Sequence, residues 1–386
     1  MTGDGADVAV VGAGILGTAV ARELAVRGAG VTLLDRGAVS GGTTGLGEGN
    51  VLASDKDAGP ELALTLAGLD VYDEIDARLG PEAQVRRKGA LIVHPEDATW
   101  AAEPARVARL RAAGVEAELL DPPAVREREP ALTGAVCGAS FFPRDLQVAP
   151  RVIARTLARE AAAAGARVRT GCPVDAIEAR GGRVTGVRLA GGGRVAAGAV
   201  VLAAGAWSAA LAATAGLALP VEPRWGQLVR LAAPRAPAEP LVRHKLVDGS
   251  YMASVLSAAA DLQVTTVVET TWEGDLLVGS SRARRGFDTT VDPRVSEAML
   301  ARAARLMPFV RDLPAAAAWA GLRPWLPDHL PAIGPSARVA GLWTATGHEG
   351  SGVALGPVTG RAVAQALCGE APVVDLAPFR PDRFAQ

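Results

Sequence analysis

The feature that most constrains the fold lies near the start of the chain, where a glycine-rich turn follows a short apolar stretch. Residues Asp7–Val11 predict a buried strand, Gly12-Ala13-Gly14-Ile15-Leu16-Gly17 follow at once, and a helix is predicted from there to about Gly28. A second predicted strand, Val31–Leu34, ends at Asp35. This β-α-β unit of about 30 residues places its glycines where a dinucleotide requires them. We therefore predict a dinucleotide site with the pyrophosphate at the N-terminus of the helix.

Each residue type in this unit has a physical role in such a site. Gly12 permits the tight turn, Gly14 lets the backbone approach the pyrophosphate, and Gly17 lets the helix pack closely on the strand. Asp35, ~20 residues after the turn, suits a pair of hydrogen bonds from a ribose diol and disfavours a 2′-phosphate. A glycine-rich α/β turn without a ligand is the alternative. The strand, the helix and the acid at the expected spacing favour the dinucleotide site.

A second glycine-rich stretch, residues 40–50, comes directly after the second predicted strand. It contains too many glycines for regular structure, so we predict a loop held against a ligand. Its backbone amides and the hydroxyls of Thr43 and Thr44 can donate to pyrophosphate or ribityl oxygens. A flexible linker is the alternative, but a linker seldom follows a nucleotide-binding strand directly.

The rest of the chain predicts further helices, a β-meander and a second sheet. Helices are expected at 60–80, 103–113, 150–164, 293–307 and 353–367. The meander strands are expected at 174–178, 186–189 and 195–204, and the strands of the second sheet at 264–269 and 276–280. A Pro-rich turn is expected at 321–335 and a last strand at 342–346.

Composition and charge exclude several classes of partner. The net charge is −1 with scattered basic residues, so we expect no nucleic-acid partner. No apolar stretch approaches the ~20 residues of a bilayer span, and no signal peptide is apparent, so we expect no integral membrane segment and a cytoplasmic location. Cys137, Cys172 and Cys368 lie too far apart for a zinc or iron–sulfur pattern, and no metal is expected. The scarcity of Lys beside abundant Ala, Gly and Arg indicates a bacterial origin.

Separated segments then match one pattern. They are Val10–Gly17, Phe142–Pro150, Ala203–Ser208, the stretch from Gly321-Leu322-Arg323-Pro324 to Gly334, and Gly347-His348-Glu349-Gly350-Ser351-Gly352-Val353. Together they resemble the D-amino-acid oxidase-like superfamily of flavoenzymes, which includes glycine oxidase, sarcosine oxidase and D-amino-acid dehydrogenases. Within it, residues 277–282 and 286–288 and the Gly-His-Glu-Gly loop are most similar to the flavin subunits of opine oxidase and hydrogen cyanide synthase.

The resemblance implies an α/β fold in which a Rossmann-like FAD-binding domain is interleaved with an antiparallel-sheet, α+β substrate domain. The first would comprise residues 1–85, 146–220 and 320–386, and the second residues 86–145 and 221–319. The implied cofactor is FAD. It is expected to be non-covalent, because residues 40–50 contain no His or Cys and no Cys lies near Arg323. The predicted cofactor-binding residues are Gly12, Gly14, Ile15, Leu16, Gly17, Asp35, Arg36, Thr43, Thr44, Val174, Ala204, Gly205, Trp207, Gly321, Arg323, Gly347, His348, Glu349, Gly350, Ser351, Gly352 and Val353.

The implied reaction is oxidation of the C–N bond of a small amino acid or N-substituted amino acid. A hydride passes from Cα to flavin N5, and the resulting imino acid hydrolyses to a 2-oxo acid. Arg323 is the candidate carboxylate anchor, because a planar guanidinium forms two parallel hydrogen bonds and stays charged. Tyr251 and His348 are further candidate catalytic residues, with packing as the alternative role of each.

Two other functions fit the same residues. One is the flavin subunit of a hetero-oligomeric amine or opine dehydrogenase complex, and a homo- or hetero-oligomer is possible. The other is an FAD-dependent 2-hydroxy-acid dehydrogenase, since the same arginine would hold a hydroxy acid. The electron acceptor is O2 or another molecule. Lys245 is the best candidate for the lysine that some relatives place against the flavin to activate oxygen.

Overall fold

The computed structural model describes residues 6–234, 239–255, 257 and 259–384. The strands are β1 (Ala6–Val11), β2 (Val31–Leu34), β3 (Asn50–Val51), β4 (Val85–Arg86), β5 (Ala90–His94), β6 (Glu118–Leu120), β7 (Gly138–Phe142), β8 (Leu146–Val148), β9 (Arg167–Arg169), β10 (Val174–Arg180), β11 (Arg183–Leu189), β12 (Gly193–Leu202), β13 (Glu222–Leu231), β14 (Lys245–Asp248), β15 (Gln263–Thr270), β16 (Leu276–Arg282), β17 (Ala315–Trp325), β18 (Ala332–Pro335) and β19 (Leu342–Thr346).

The helices alternate with these strands along most of the chain. They are α1 (Ile15–Ala25), α2 (Thr43–Leu46), α3 (Pro60–Leu79), α4 (Asp97–Ala112), α5 (Pro122–Arg128), α6 (Pro150–Ala163), α7 (Ser208–Thr214), α8 (Tyr251–Val255), α9 (Pro293–Leu306) and α10 (Gly352–Leu367). Short 3-10 helices lie at Gly80–Ala83, Gly205–Trp207, Pro308–Asp312, Ala377–Phe379 and Pro381–Phe384.

The first sheet is built on parallel strands. β1 lies between β12 and β2, β9 extends the sheet beyond β2, and β19 pairs in parallel with β12. The antiparallel strands β10 and β11 continue from β12, as the predicted meander requires. All four residues of β2 are buried, because a parallel sheet is covered on both faces.

Helices α1, α6 and α10 pack beside this sheet, and α3 packs on α10. The approach of α10 to α1 depends on small residues. A Cβ added to Gly360 would lie 2.5 Å from the Cβ of Ala19, so a larger residue would separate the two helices. This contact brings the N-terminus of α10 next to that of α1.

The second sheet has the order β17-β13-β16-β15-β14-β5-β7-β6. Its pairs are antiparallel except β14 with β5. A separate apolar core, which includes Trp225, Val278 and Met299, lies between this sheet and α9. The parallel first sheet and the mainly antiparallel second sheet confirm the predicted fold class.

Two local predictions were wrong. The glycine-rich stretch 40–50 contains the one-turn helix α2, and residues 321–325 form the end of strand β17 instead of a turn. Both differences have tertiary causes. The hydroxyl of Thr43 donates to the carbonyl of Leu322 at 2.6 Å, and Glu222–Leu231 pairs along the whole length of β17.

The division into two domains stays a prediction. Its boundary at residue 320 falls within β17, which belongs to the second sheet. In the described part of the chain, no helix combines the length and apolar character needed to cross a bilayer. The same residues hold no group of three or more His, Cys, Asp or Glu side chains arranged to bind a metal ion.

Candidate active site

A cleft of about 590 Å³ lies between the two large sheets. One wall is formed where β1, β2 and β12 end, at the carboxyl edge where parallel sheets bind their ligands. The other wall is a face of the second sheet, with Leu228 on β13, Ser280 on β16 and Arg323 on β17. The volume is that of a cofactor or ligand site.

Most of the residues predicted from the sequence line this cleft. Those that do are Gly12, Gly14, Ile15, Leu16, Asp35, Arg36, Thr43, Thr44, Val174, Ala204, Gly205, Trp207, Tyr251, Gly321, Arg323, His348, Glu349, Gly350, Ser351, Gly352 and Val353. Gly17 and Gly347 lie behind the lining. An added Cβ on Gly17 would lie 1.7 Å from the carbonyl oxygen of Gly12, and one on Gly347 would lie 2.2 Å from Leu326 Cδ1.

The turn after β1 brings the N-terminus of α1 to the cleft. Gly12 has a φ of 109°, and an added Cβ would lie 2.3 Å from the carbonyl oxygen of Ala203. Only glycine fits this position without strain. The amide of Ile15 donates to the hydroxyl of Thr44 at 3.0 Å, and Gly14 caps α1 without a side-chain acceptor. Thr44 thus accepts from the first amide of α1, and the N-terminal end of the helix lines the cleft, where an anionic ligand can bind.

Asp35 lies at the end of the cleft next to this turn. Its Oδ2 accepts a hydrogen bond from the amide of Ala13 at 2.6 Å, and its Oδ1 accepts one from the amide of Gly37 at 2.7 Å. Each oxygen retains acceptor capacity for a ligand hydroxyl. Nearby, the guanidinium of Arg36 lies 3.7 Å from the ring centroid of Trp207. This end of the cleft suits the adenosine part of a dinucleotide.

Arg323 lies at the other end of the cleft, on β17 opposite Arg224 of β13. Its Nη1 donates to the carbonyl oxygen of Ser281 at 2.9 Å. Burial lowers the pKa of Arg323 below its ordinary value, and the guanidinium of Arg282 lowers it further. Binding of an anion beside Arg323 would offset both effects.

The neighbouring arginines are engaged inside the protein. Arg224 donates to Glu349 Oε1 at 2.7 Å and to the carbonyls of Val255 and Ser257 at 3.1 and 2.9 Å. Arg282 donates to the hydroxyl of Ser254 at 2.8 Å. These bonds hold the segment that contains α8 against the second sheet.

Tyr251, the first residue of α8, lines the cleft as a result. The guanidinium of Arg282 lies 4.5 Å from its ring centroid, a cation–π contact that orients the ring. The sequence left Tyr251 between a site role and a packing role. The structure places it at the cleft surface on a segment held by arginines.

His348 and Glu349 follow β19 and precede α10. Burial lowers the pKa of His348 to about 3, and its Nε2 lies 3.1 Å from the hydroxyl of Thr359. The imidazole is therefore neutral over the physiological pH range. Burial opposes ionisation of Glu349, but His329 and the nearby arginines lower its pKa to about 2, so this carboxylate is an anion.

Sequence reasoning missed Lys56, which lines the cleft and is buried. Its Nζ donates to the hydroxyl of Ser351 at 2.8 Å and lies 2.9 Å from Asp55 Oδ1. Lys245, the lysine expected near the cofactor, is buried behind the lining, 3.2 Å from Glu48 Oε2. The contacts of Lys56 with Ser351 and of Lys245 with Glu48 join residues far apart in the sequence, so no local pattern indicated which lysine lines the cleft.

Comparisons with known proteins agree with this geometry. The family model for "DAO: FAD dependent oxidoreductase" matches residues 7–366. The chain is 32% identical over 384 residues to a glycine oxidase from Pseudomonas aeruginosa, covering 97% of this chain and 98% of that protein. It is 30% identical over 317 residues to hydrogen cyanide synthase subunit HcnC of the same organism, covering 82% of this chain and 71% of that protein.

The fold has a close match among solved structures. The crystal structure of glycine oxidase from Geobacillus kaustophilus superimposes with a TM-score of 0.88 at 29% identity, covering 99% of this chain and 100% of that one. The glycine cradle at Gly12, the N-terminus of α1 at the cleft and the carboxylate of Asp35 fit FAD, the cofactor of this family. The resemblance expected from the sequence is confirmed: the chain belongs to the DAO family of FAD-dependent oxidoreductases.

Proposed function

We propose that this chain oxidises the C–N bond of a small amino acid or N-substituted amino acid to an imino acid, which hydrolyses to a 2-oxo acid. Its relatives include glycine oxidases and a D-amino acid dehydrogenase that is 33% identical over 282 residues. The names of both kinds of relative describe oxidation of an amino acid. We base the choice of an amino-acid substrate for this chain on the end of the cleft at which Arg323 lies.

Arg323 carries the proposal. It is a partly buried cation that lines the cleft, and one of its five N–H donors is used on the carbonyl of Ser281. The remaining donors can hold a carboxylate in the bidentate geometry that a guanidinium favours. An α-carboxylate bound here is the substrate group that we infer.

The charges around Arg323 favour an anionic ligand. Glu349 Oε1 pairs with Arg224 at 2.7 Å and lies 3.8 Å from Arg282 Nε. The guanidinium of Arg323 also lowers the pKa of Glu349, so one carboxylate faces three guanidinium groups. A buried charge is costly unless it is paired, so the excess positive charge favours binding of a substrate carboxylate.

The chain's own residues bind and orient the substrate in this scheme. Arg323 would hold the carboxylate, with Tyr251 lining the same part of the cleft as a second candidate contact. His348 is neutral at physiological pH, which suits packing and hydrogen bonding to Thr359 better than proton exchange. FAD, when bound, supplies the two-electron acceptor for the hydride from Cα.

The relationship to hydrogen cyanide synthase subunit HcnC favours a second possibility, in which this chain is the flavin subunit of a larger complex. In that case Arg323 would still bind the substrate, but electrons would leave to another subunit. Turnover by the purified chain alone, with O2 or an artificial acceptor, separates the two.

The test is anaerobic reduction of the bound flavin by a panel of compounds. The panel holds small D- and L-amino acids, glycine, N-methyl amino acids, N-carboxyalkyl amino acids, and the matching 2-hydroxy acids and simple amines. We expect bleaching of the oxidised flavin by amino acids, and little by amines that lack the carboxylate. Reduction by hydroxy acids alone would overturn the proposal.

A further inference from the structure

Glu48 lines the same cleft as Arg323, and one of its two carboxylate oxygens accepts no hydrogen bond from the described residues. Its Oε2 accepts a hydrogen bond from Asn50 Nδ2 at 2.7 Å and lies 3.2 Å from Lys245 Nζ. Its Oε1 is buried and has no donor within the part of the chain that the structure describes. Since the side chain is 14% exposed, water satisfies this oxygen poorly. A buried carboxylate oxygen without a donor is costly, and a ligand donor would relieve that cost.

The glycines of the second sheet place this carboxylate relative to Arg323. An added Cβ on Gly279 would lie 2.9 Å from both Glu48 Oε1 and Leu228 Cδ2, so the carboxylate sits on β16 beside Leu228. An added Cβ on Gly226 would lie 2.1 Å from Arg323 Nη1. Gly226 and Leu228 are two residues apart on β13 and face the same side, with a spacing of roughly 7 Å. The cation and the anion therefore flank one short stretch of the cleft.

Glu48 belongs to a cluster of buried charged groups. Lys245 is 1% exposed, and although burial opposes its charge, the carboxylates of Glu269 and Glu48 raise its pKa. Glu269 is in turn 3.2 Å from Lys88 Nζ. Carboxylates and ammonium groups therefore alternate in the order Glu48, Lys245, Glu269 and Lys88. The two positive charges are balanced by two negative ones, so no excess positive charge lies next to Glu48.

We propose that Glu48 Oε1 accepts a hydrogen bond from the ammonium group of the substrate whose carboxylate is held by Arg323. This inference rests on the proposed function and specifies its substrate class as a zwitterion. An α-amino acid carries both charges within a few bonds, matching a guanidinium and a carboxylate on one sheet face. A 2-hydroxy acid lacks the cation, so Glu48 would discriminate against it.

The same contact predicts a pH effect. Glu48 stabilises the protonated amine, whereas loss of hydride from Cα requires the neutral amine. The bound ammonium must first release a proton to solvent, and Glu48 raises the pH at which it does so. By linkage, the shift of this titration in pH units equals the base-10 logarithm of the factor by which Glu48 strengthens binding of the ammonium form over the neutral amine.

Binding is tested with two matched probes on the FAD-loaded protein. 2-Aminoisobutyrate has no Cα hydrogen and is not oxidised, and isobutyrate is the same acid without the amine. By calorimetry, Glu48→Gln should weaken 2-aminoisobutyrate by roughly 10- to 100-fold, the range of a charge-assisted hydrogen bond. Isobutyrate should bind equally well or more tightly, since a nearby negative charge is removed. Glu297→Gln, an exposed position on α9, should change neither affinity.

The pH profile is the second readout. For an amino acid that reduces the flavin, Glu48→Gln should move the midpoint of the reduction rate about one to two pH units lower, matching its binding loss. Equal weakening of both probes, or no shift in either readout, would overturn the inference. So would a parent protein that binds 2-aminoisobutyrate no better than isobutyrate. Absence of flavin reduction by every amino acid would instead count against the proposed function.

Discussion

The guanidinium of Arg323 lies over the Cα of Gly226 on the adjacent strand. An added Cβ at Gly226 would lie 2.1 Å from Arg323 Nη1 and 2.4 Å from the carbonyl oxygen of Ser281, which accepts a hydrogen bond from the same nitrogen. The absence of a side chain at Gly226 therefore leaves the space that the guanidinium occupies. The position of the candidate anchor depends on the pairing of β13 with β17, as well as on its own strand.

Gly226→Ala should accordingly displace Arg323 without removing it. We expect kcat/KM for an amino-acid substrate to fall by roughly 10²-fold, the usual cost of misplacing a positioning group by about 1 Å. Gly59→Ala is the matched control, because no atom lies within 4 Å of an added Cβ there. A Gly226→Ala variant with unchanged kinetics would show that Arg323 does not act from its observed position.

Removal of the anchor itself should have a larger effect. Arg323→Ala should lower kcat/KM by roughly two to four decades while the spectrum of the bound flavin stays native, because a substrate carboxylate would lose its buried partner. Arg323→Lys should recover only part of the loss, since an ammonium lacks the planar fork. Amines without a carboxylate should lose far less. Parent-like turnover by Arg323→Ala would exclude the anchor role.

Asp35 should contribute to FAD affinity. Asp35→Ala removes the carboxylate expected to bind the adenosine ribose and should weaken FAD binding by ~1–3 kcal/mol, as measured by flavin titration of the apoprotein. Asp7→Ala is a suitable control. Asp7 Oδ2 also accepts a backbone hydrogen bond in this β-α-β unit, from the amide of Gly30 at 2.7 Å, but at the opposite end of the strands. An equal loss of FAD affinity in both variants would mean that Asp35 acts only through its hydrogen bonds to backbone amides.

The flavin should be released when the protein is precipitated with acid. Residues 40–50 hold no His or Cys, and Cys172, which lines the cleft, lies at the Asp35 end, where its amide donates to the carbonyl of Asp35 at 2.7 Å. We expect a colourless pellet and a yellow supernatant. Flavin retained in the pellet would refute non-covalent binding and direct attention to Cys172 and His348.

His348 should make stability depend on pH. Burial lowers its pKa in the folded state to about 3 from an ordinary 6.5, so below 6.5 the unfolded chain takes up a proton that the folded chain does not. Relative to His348→Gln, the parent should lose up to about 1.4 kcal/mol of unfolding free energy per pH unit as pH falls through this range. Above pH 6.5 the difference should be constant.

Urea unfolding of both proteins at pH 7, 6 and 5 measures this effect. The comparison is made between the two proteins because Asp145 has an opposing influence, its pKa being raised to about 7 by burial, and its contribution cancels in the difference. A difference that does not change with pH would show that His348 is accessible to protons in the folded state.

Local rules determined the end of the cleft at which Gly12 and Asp35 lie from the sequence alone. Strand, turn and helix around Gly12 follow from short-range sterics, since a positive φ and a close backbone approach exclude side chains wherever that unit forms. Strands Val31–Leu34 and Leu342–Thr346 have the predicted bounds, because runs of apolar and β-branched residues favour strands over short distances.

Only the tertiary structure decided the end of the cleft at which Arg323 lies. The sequence placed Arg323 in a turn, but pairing with β13 makes it a strand residue over Gly226. It favoured Lys245 as the lysine of the site, but Lys56 lines the cleft, and Glu48 received no prediction of a role. Electrostatic and packing partners of these side chains lie on strands brought together by folding. No local pattern specifies which strands become neighbours, so these charged side chains come together only when the two sheets pack to form the cleft.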